Sequence, residues 1–594
     1  MLQKELISFY AERKAAFSSQ LKTVSARINL ISNVRLAVAL LFVVLLYFGF
    51  SYHQLLYTLP ILVVVFVVLI RNHGKLFQQQ SHLQSLVKIN QCEKQGLEGD
   101  ISCFQTGSEF SDAHHPYAYD LDIFGEGSLF QFLNRCNTLI GKKKFATRLT
   151  TPLQSPETIR MNQEAIRELA AKTDFRQHFQ GAGMELEEEA HDREQLIAWV
   201  KQPPFLFGKP VYRIILIIIP VITVGLVIGS FFVAGLKSFA ILMALFQWGF
   251  LGFYLKRVNT FHDYIGRKKN ILQKYASLLH YLQTENFSSV MMVSLSKSAK
   301  HADRKVHQLA SLVNAFDARL NSMMTLIVNS LLLYDLQCVY RLEKWKEENA
   351  ENLIMWLEAV SETEMLCSFG GYAFNNEQFT YANIHSDFSI SAKALGHPLI
   401  PPAECVVNDF KIGNGPTVLI VTGANMAGKS TFLRTLGINV VLALNGAPVA
   451  AQEFHCPIIH LRTGMRTADS LKDHQSYFYA ELDRLKGIMD ELRKDIPLLI
   501  LLDEILKGTN STDKQTGSIA LVKQLLPHPC LAIIATHDLA LGDLEKEFPD
   551  KVKNHCFEAN IENDQLSFDY KLKPGLAQKM NATFLMKKMG IIPS

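Results

Sequence analysis

The chain has 594 residues, 60 Lys+Arg against 56 Asp+Glu, and 48 % hydrophobic residues. That length exceeds one domain, and the near-average composition with a formal net charge of +4 excludes a disordered, collagen-like or mucin-like chain. Charge gives no global sign of a nucleic-acid binder, and nine Cys without a C-x-x-C pair or metal-like cluster fit reduced thiols in a reducing compartment better than a disulfide framework.

Residues 1–29 are polar and helix-like, with Lys4, Glu5, Arg13, Lys14 and Lys22 ahead of the first apolar run, so no cleavable signal is expected there. From 36 to 70 there is no Asp, Glu, Lys or Arg, and Ser51, His53 and Gln54 break the run in its middle. This predicts a transmembrane hairpin over 30–71, with Arg35 snorkelling. A polar linker over 72–119 leads to helices over 120–208. Residues 214–255 are again uncharged apart from Lys237, which predicts a second hairpin over 211–257. Arg27, Arg35, Arg71, Lys75, Arg213, Lys256 and Arg257 lie on the outer flanks and place them in the cytoplasm, with Lys237 the exception. The expectation is a multi-pass cytoplasmic (inner) membrane protein with its polar parts in the cytoplasm; two buried pairs of core helices are the alternative.

Residues 258–356 read as long helices, with few Gly or Pro. Between Lys256 and Lys305 there are ten Lys+Arg and three Asp+Glu, including Arg267-Lys268-Lys269 and Arg304-Lys305. Such a stretch suits DNA phosphates, anionic lipid or plain solvation equally. From 364 to 594 the pattern changes to short Val/Ile/Leu runs at 417–422, 498–502 and 531–535 alternating with helix-length segments, which predicts a buried parallel sheet in an α/β domain.

After the first of these strands stands Gly423-Ala424-Asn425-Met426-Ala427-Gly428-Lys429-Ser430, then Thr431. It is a full G-x-x-x-x-G-K-S in strand-to-helix context, which predicts ATP binding: backbone N–H groups cradle phosphate, Lys429 reaches the β/γ-phosphates and Ser430 ligates Mg²⁺. The strand at 498–502 ends in Asp503-Glu504, where Asp503 completes the Mg²⁺ shell and Glu504 polarises the attacking water. The third strand ends in Thr536-His537, and His537 is expected to sense the γ-phosphate or orient the water.

Together these residues resemble the MutS family of DNA mismatch-repair ATPases. Thr422 to Thr431 is similar to that family's T-G-x-N-M-x-G-K-S-T, and Ala468-Asp469-Ser470-Leu471 with Ser476, Phe478 and Glu481 to its A-D-x-L-x4-S-x-F-x-x-E. Asp503-Glu504 with Gly508-Thr509, Ala535-Thr536-His537, Gly396-His397-Pro398 and Val407-Asn408-Asp409 are also family-like, and 120–200 resembles the start of its lever. The resemblance implies a P-loop ATPase domain with a MutS/ABC-like parallel sheet, preceded by an all-α lever region that here carries the two hairpins. It further implies a homodimer with composite sites, in which Ser476 reaches the opposite subunit's nucleotide, and mismatched or branched DNA as partner. The departures are a missing mismatch-reading domain with its F-x-E motif, Cys405 near the place where the family often has an aromatic on adenine, and Leu506-Lys507 before Gly508. A nucleotide-dependent membrane scaffold or a transport-coupled ATPase without DNA is the rival reading.

Overall fold

The computed structural model describes residues 3–185, 188, 190–466, 477–506, 510–562 and 565–578. Its first element is one unbroken helix, Gln3–Gly49, of 47 residues, about 70 Å long. The expected boundary at residue 29 is therefore no structural break. The chain returns along Leu59–Leu97, which carries Pro60 in its first turn, where a missing N–H disturbs no helical bond. Arg35 donates to His73 Nδ1 (2.5 Å) and lies over Phe66, closing the base of the apolar part of this pair. The polar ends of the two helices dock on the helical core. There the buried Tyr10 donates to Asn375 Oδ1 (2.7 Å), Arg13 pairs with Asp174 (2.6 Å), and Asn90 and Gln177 exchange hydrogen bonds.

Cys92 and Cys103 pair as a disulfide, where the sequence favours reduced thiols over a disulfide framework; the other seven cysteines are free. The helix ends at Leu97 and the chain turns back over the next residues, which brings their Cα atoms to 5.6 Å.

The second apolar pair is Pro210–Gly229 and Leu236–Ile265. Inside it, Gln247 donates to Thr223 Oγ1 (2.5 Å), so two buried polar side chains satisfy each other. Among the described residues four helices are long and apolar enough to cross a membrane. Helices Lys269–Thr284 and Ala302–Asp317 then build the core against Tyr334–Asn375, a 42-residue helix about 63 Å long. No Gly or Pro interrupts it before Gly370, so the expected division between 356 and 364 falls inside one continuous element. At Gly370 a Cβ would lie 2.9 Å from Leu169, so glycine lets the Pro156–Ala171 helix pack closely there.

The C-terminal α/β domain holds a six-stranded sheet in the order 565–574, 552–562, 418–423, 530–536, 498–503, 460–464. All neighbours are parallel except the first two, which form an antiparallel hairpin. The central strands are buried on both faces, which is why VLIVTG, LLILLD and CLAIIAT read as continuous apolar runs rather than alternating ones. A smaller four-stranded sheet (383–384, 453–456, 389–395, 408–413) covers one side of the site.

Candidate functional site

Three adjacent parallel strands, Val418–Gly423, Cys530–Thr536 and Leu498–Asp503, end side by side, and the site lies beyond their carboxyl ends. The first strand runs into a glycine-rich turn and then the helix Lys429–Leu444. Gly423 (φ +152°) and Gly428 (φ +104°) hold backbone angles that favour glycine. A Cβ on Gly423 would stand 2.6 Å from the Phe557 carbonyl oxygen, so the turn is pressed against its neighbouring strand.

Lys429 is buried, and its ammonium donates to the carbonyls of Gly423 (2.8 Å) and Ala424 (2.9 Å), folding the side chain across the turn. Ser430 donates to Asp503 Oδ2 at 2.5 Å. That hydroxyl and carboxylate are hard oxygen donors at one point, a set that suits a small divalent cation such as Mg²⁺. Glu504 follows with φ +54°, and its Oε1 lies 2.7 Å from His537 Nε2. The same nitrogen is 2.6 Å from Asn425 Oδ1 and 3.4 Å from the Lys429 ammonium, so His537 ties the strand end to the glycine-rich turn. Thr431 lies at the helix start and lines the same cleft, of about 380 Å³, with Ala424, Asn425, Met426 and Gly428. Met426 is among the most exposed apolar side chains of the domain, while Ala427 faces inward. The structure thus brings together Gly423 to Thr431, Asp503, Glu504 and His537. Ser476, Lys507 and the Gly508-Thr509 pair lie outside the described residues.

The opposite wall was only partly legible in the sequence. Tyr570 stands beside Gly428, and a Cβ there would touch its ring at 3.1 Å. Asn408 holds that strand by donating to the Tyr570 carbonyl (3.1 Å) and accepting from Leu572 N–H (2.8 Å). His397 and Cys405 complete the wall. Burial, helped by the Arg434 guanidinium, pushes His397 down to about 4, so its ring is neutral near pH 7. No motif pointed to Tyr570, because it lies in a strand whose register is set only by the fold.

A second cluster joins this domain to the helical region. The buried Asp120 accepts from Thr463 Oγ1 (2.7 Å), from the N–H groups of Met465 and Arg466, and from Arg484 (2.9 Å). Arg484 belongs to the helix Tyr477–Leu492, which also carries Glu481; Glu481 accepts from Leu506 N–H just past Glu504. Of the ten basic residues between 256 and 305, Lys268 and Lys274 are buried, and Lys274 pairs with Glu188 (3.0 Å).

An open parallel sheet with its crevice at the strand ends, behind a large scaffold of long helices, defines the class of the molecule. MutS domain III matches residues 118–498 and MutS domain V residues 419–593, the first alone covering well over half of the chain. The chain belongs to the MutS family. The match also runs through the second apolar pair and the helices after it, where the sequence offered no motif.

The DNA mismatch repair protein MutS of Thermotoga maritima is 28% identical over 249 residues, 41% of this chain and 31% of that protein. Its namesake from Halalkalibacterium halodurans is 30% identical over 264 residues (43% and 30%), and that from Listeria welshimeri 31% over 235 (39% and 27%). The aligned part of the chain thus spans about a third of the length of these relatives.

Proposed function

We propose that the protein is a membrane-anchored MutS-type ATPase with a mismatch-repair-related role, whose Mg²⁺–ATP site is the strand-end cleft. The observation that carries this reading is the convergence of Lys429, the Ser430–Asp503 pair and the Glu504–His537 pair on one glycine-rich turn. Bound Mg²⁺ would offset the charge that develops on the phosphates. On the protein side, the backbone N–H groups of 424–429 and the helix start hold phosphate, and Lys429 exchanges its two carbonyl partners for phosphate oxygens. Ser430 and Asp503 hold the cation. Glu504 takes the proton of the attacking water, and His537 keeps that carboxylate aimed.

The two apolar helix pairs support four membrane passes with both outer flanks and the α/β domain on the cytoplasmic side, and lipid as their partner. The relatives' name, DNA mismatch repair protein, supports DNA as the partner, and mismatched or branched DNA and a homodimer as the working form come from the motif resemblance.

The test is ATP turnover and nucleotide binding by the full-length protein in detergent. Lys429→Ala should abolish binding, and Glu504→Gln should bind ATP yet turn over about 100- to 10,000-fold more slowly. Normal turnover in either variant would remove the assignment.

A further inference from the structure

Outside the two apolar pairs, a short helix of the helical region, Ser322–Leu332, carries an exposed apolar face. Leu320, Met323, Met324, Leu326 and Ile327 on and beside it are all more than half exposed. No charged residue occurs between Arg319 and Asp335. Eleven residues make a helix about 17 Å long, roughly half the apolar thickness of a bilayer. The helix ends at Leu333 (φ +50°), and the chain turns by 81° into Tyr334–Asn375.

The placement of this helix is fixed by the second apolar pair. At its entry Arg319 donates to Asn259, next to the charged end of Leu236–Ile265 at Lys256-Arg257. At its exit Ser330 accepts from Trp248 Nε1 (2.8 Å), and Gln247 Oε1 accepts from Leu333 N–H (3.1 Å). Asn259 and Gln247 are twelve positions apart, about 18 Å along that helix. Arg319 also donates to the buried Asp335 Oδ2 (3.0 Å) just past the break, so one ion pair ties the two ends together, while the turn at Ser330 and Leu333 is held against Trp248 and Gln247 in the apolar part of the pair. The broken backbone is sealed from within: Asn329 Oδ1 accepts from Asp335 N–H (2.9 Å), and Gln337 donates to the Leu332 carbonyl (2.8 Å). Irregular backbone at membrane depth is tolerated where protein satisfies it in this way. Leu242, Leu245 and Phe246 on the adjoining helix of the pair are likewise more than half exposed.

We infer that Ser322–Leu332 is a re-entrant half-span that dips into the bilayer beside the second hairpin, so that the long helix Tyr334–Asn375 hangs directly on lipid. The occupant of the apolar face is acyl chain. This rests on the reading of the second pair as membrane-spanning, and the experiment separates the two.

Full-length protein is reconstituted into phosphatidylcholine–phosphatidylglycerol vesicles with or without brominated acyl chains, and the added fluorescence of Met323→Trp and Ile327→Trp is compared with Leu245→Trp as membrane reference. Val290→Trp, on another exposed helix, serves as the aqueous reference. Quenching of the added signal at 323 and 327 to at least half the fraction seen at 245, with none at 290, is the expected result. Quenching at 245 alone would overturn the half-span and leave the hairpin standing, and blue-shifted but unquenched emission at 323 and 327 would give the face to a protein partner instead. Absence of quenching at 245 as well would overturn both.

Discussion

Tyr570 puts its ring beside the turn at Gly428, on the wall where the sequence offers only Cys405. In the proposed ATP site this ring lines the cleft and is a candidate stacking partner for the purine. Tyr570→Ala should weaken ATP binding by about 1–3 kcal/mol while Tyr570→Phe retains it, as measured by equilibrium binding of the nucleotide. Equal affinities for the native and Ala proteins would place the base elsewhere. Glu364 is a different kind of residue. It is buried under the start of the helix Leu139–Thr150, accepting from Asn137 N–H (2.9 Å), Thr138 N–H (3.1 Å) and the Thr138 hydroxyl. Burial raises its carboxyl from 4.5 to about 6. The folded state therefore binds its proton more tightly than the unfolded one. The stability this confers is full below about pH 4.5 and is lost as pH rises through 6, on the order of 2 kcal/mol. Urea titrations should show that loss in the native protein and its absence in Glu364→Gln.

At the scale of elements, the helix Tyr477–Leu492 connects the strand-end site to the helical scaffold: Glu481 grips Leu506 N–H beside Glu504, and one turn on Arg484 grips Asp120. Asp120→Ala would leave Arg484 and the Met465 and Arg466 N–H groups without their shared acceptor. It should destabilise the domain junction by about 3–5 kcal/mol, and unfolding followed by denaturant should lose its single transition. Unchanged unfolding would mean that the junction is held elsewhere. These joints explain what could be read in advance. The strands 418–423, 498–503 and 530–536 were legible because burial on both faces writes itself as unbroken apolar runs, and the turn at 423–430 because phosphate chemistry restricts its residue types. Asp120, Tyr570 and the Ser322–Leu332 helix were not. Each acquires its role from a partner far away in sequence: Arg484, Gly428 and Trp248 respectively. The pairing of Cys92 with Cys103 was missed for a related reason, since the turn after Leu97 has no spacing signature.

For the whole molecule, the eight basic residues between 256 and 305 that remain outside the core set an upper bound on any electrostatic grip on DNA through this stretch. If all of them met phosphates, the slope of log affinity against log salt would be about −7. Turnover measured with homoduplex, mismatched and branched DNA across a salt series should show stimulation that fades with salt. Turnover indifferent to every DNA would leave a nucleotide switch whose partners are lipid or protein. The rigid Tyr334–Asn375 helix adds a constraint of another kind. It begins at the break beside the apolar pair and ends against the helices that carry the α/β domain, with no Gly or Pro until its last turns. A rod of this length converts a small tilt at one end into a displacement of several ångströms at the other. Linkage is reciprocal, so if the apolar pair spans a bilayer and nucleotide moves the rod, bilayer thickness and lateral tension must shift nucleotide affinity by the same free energy.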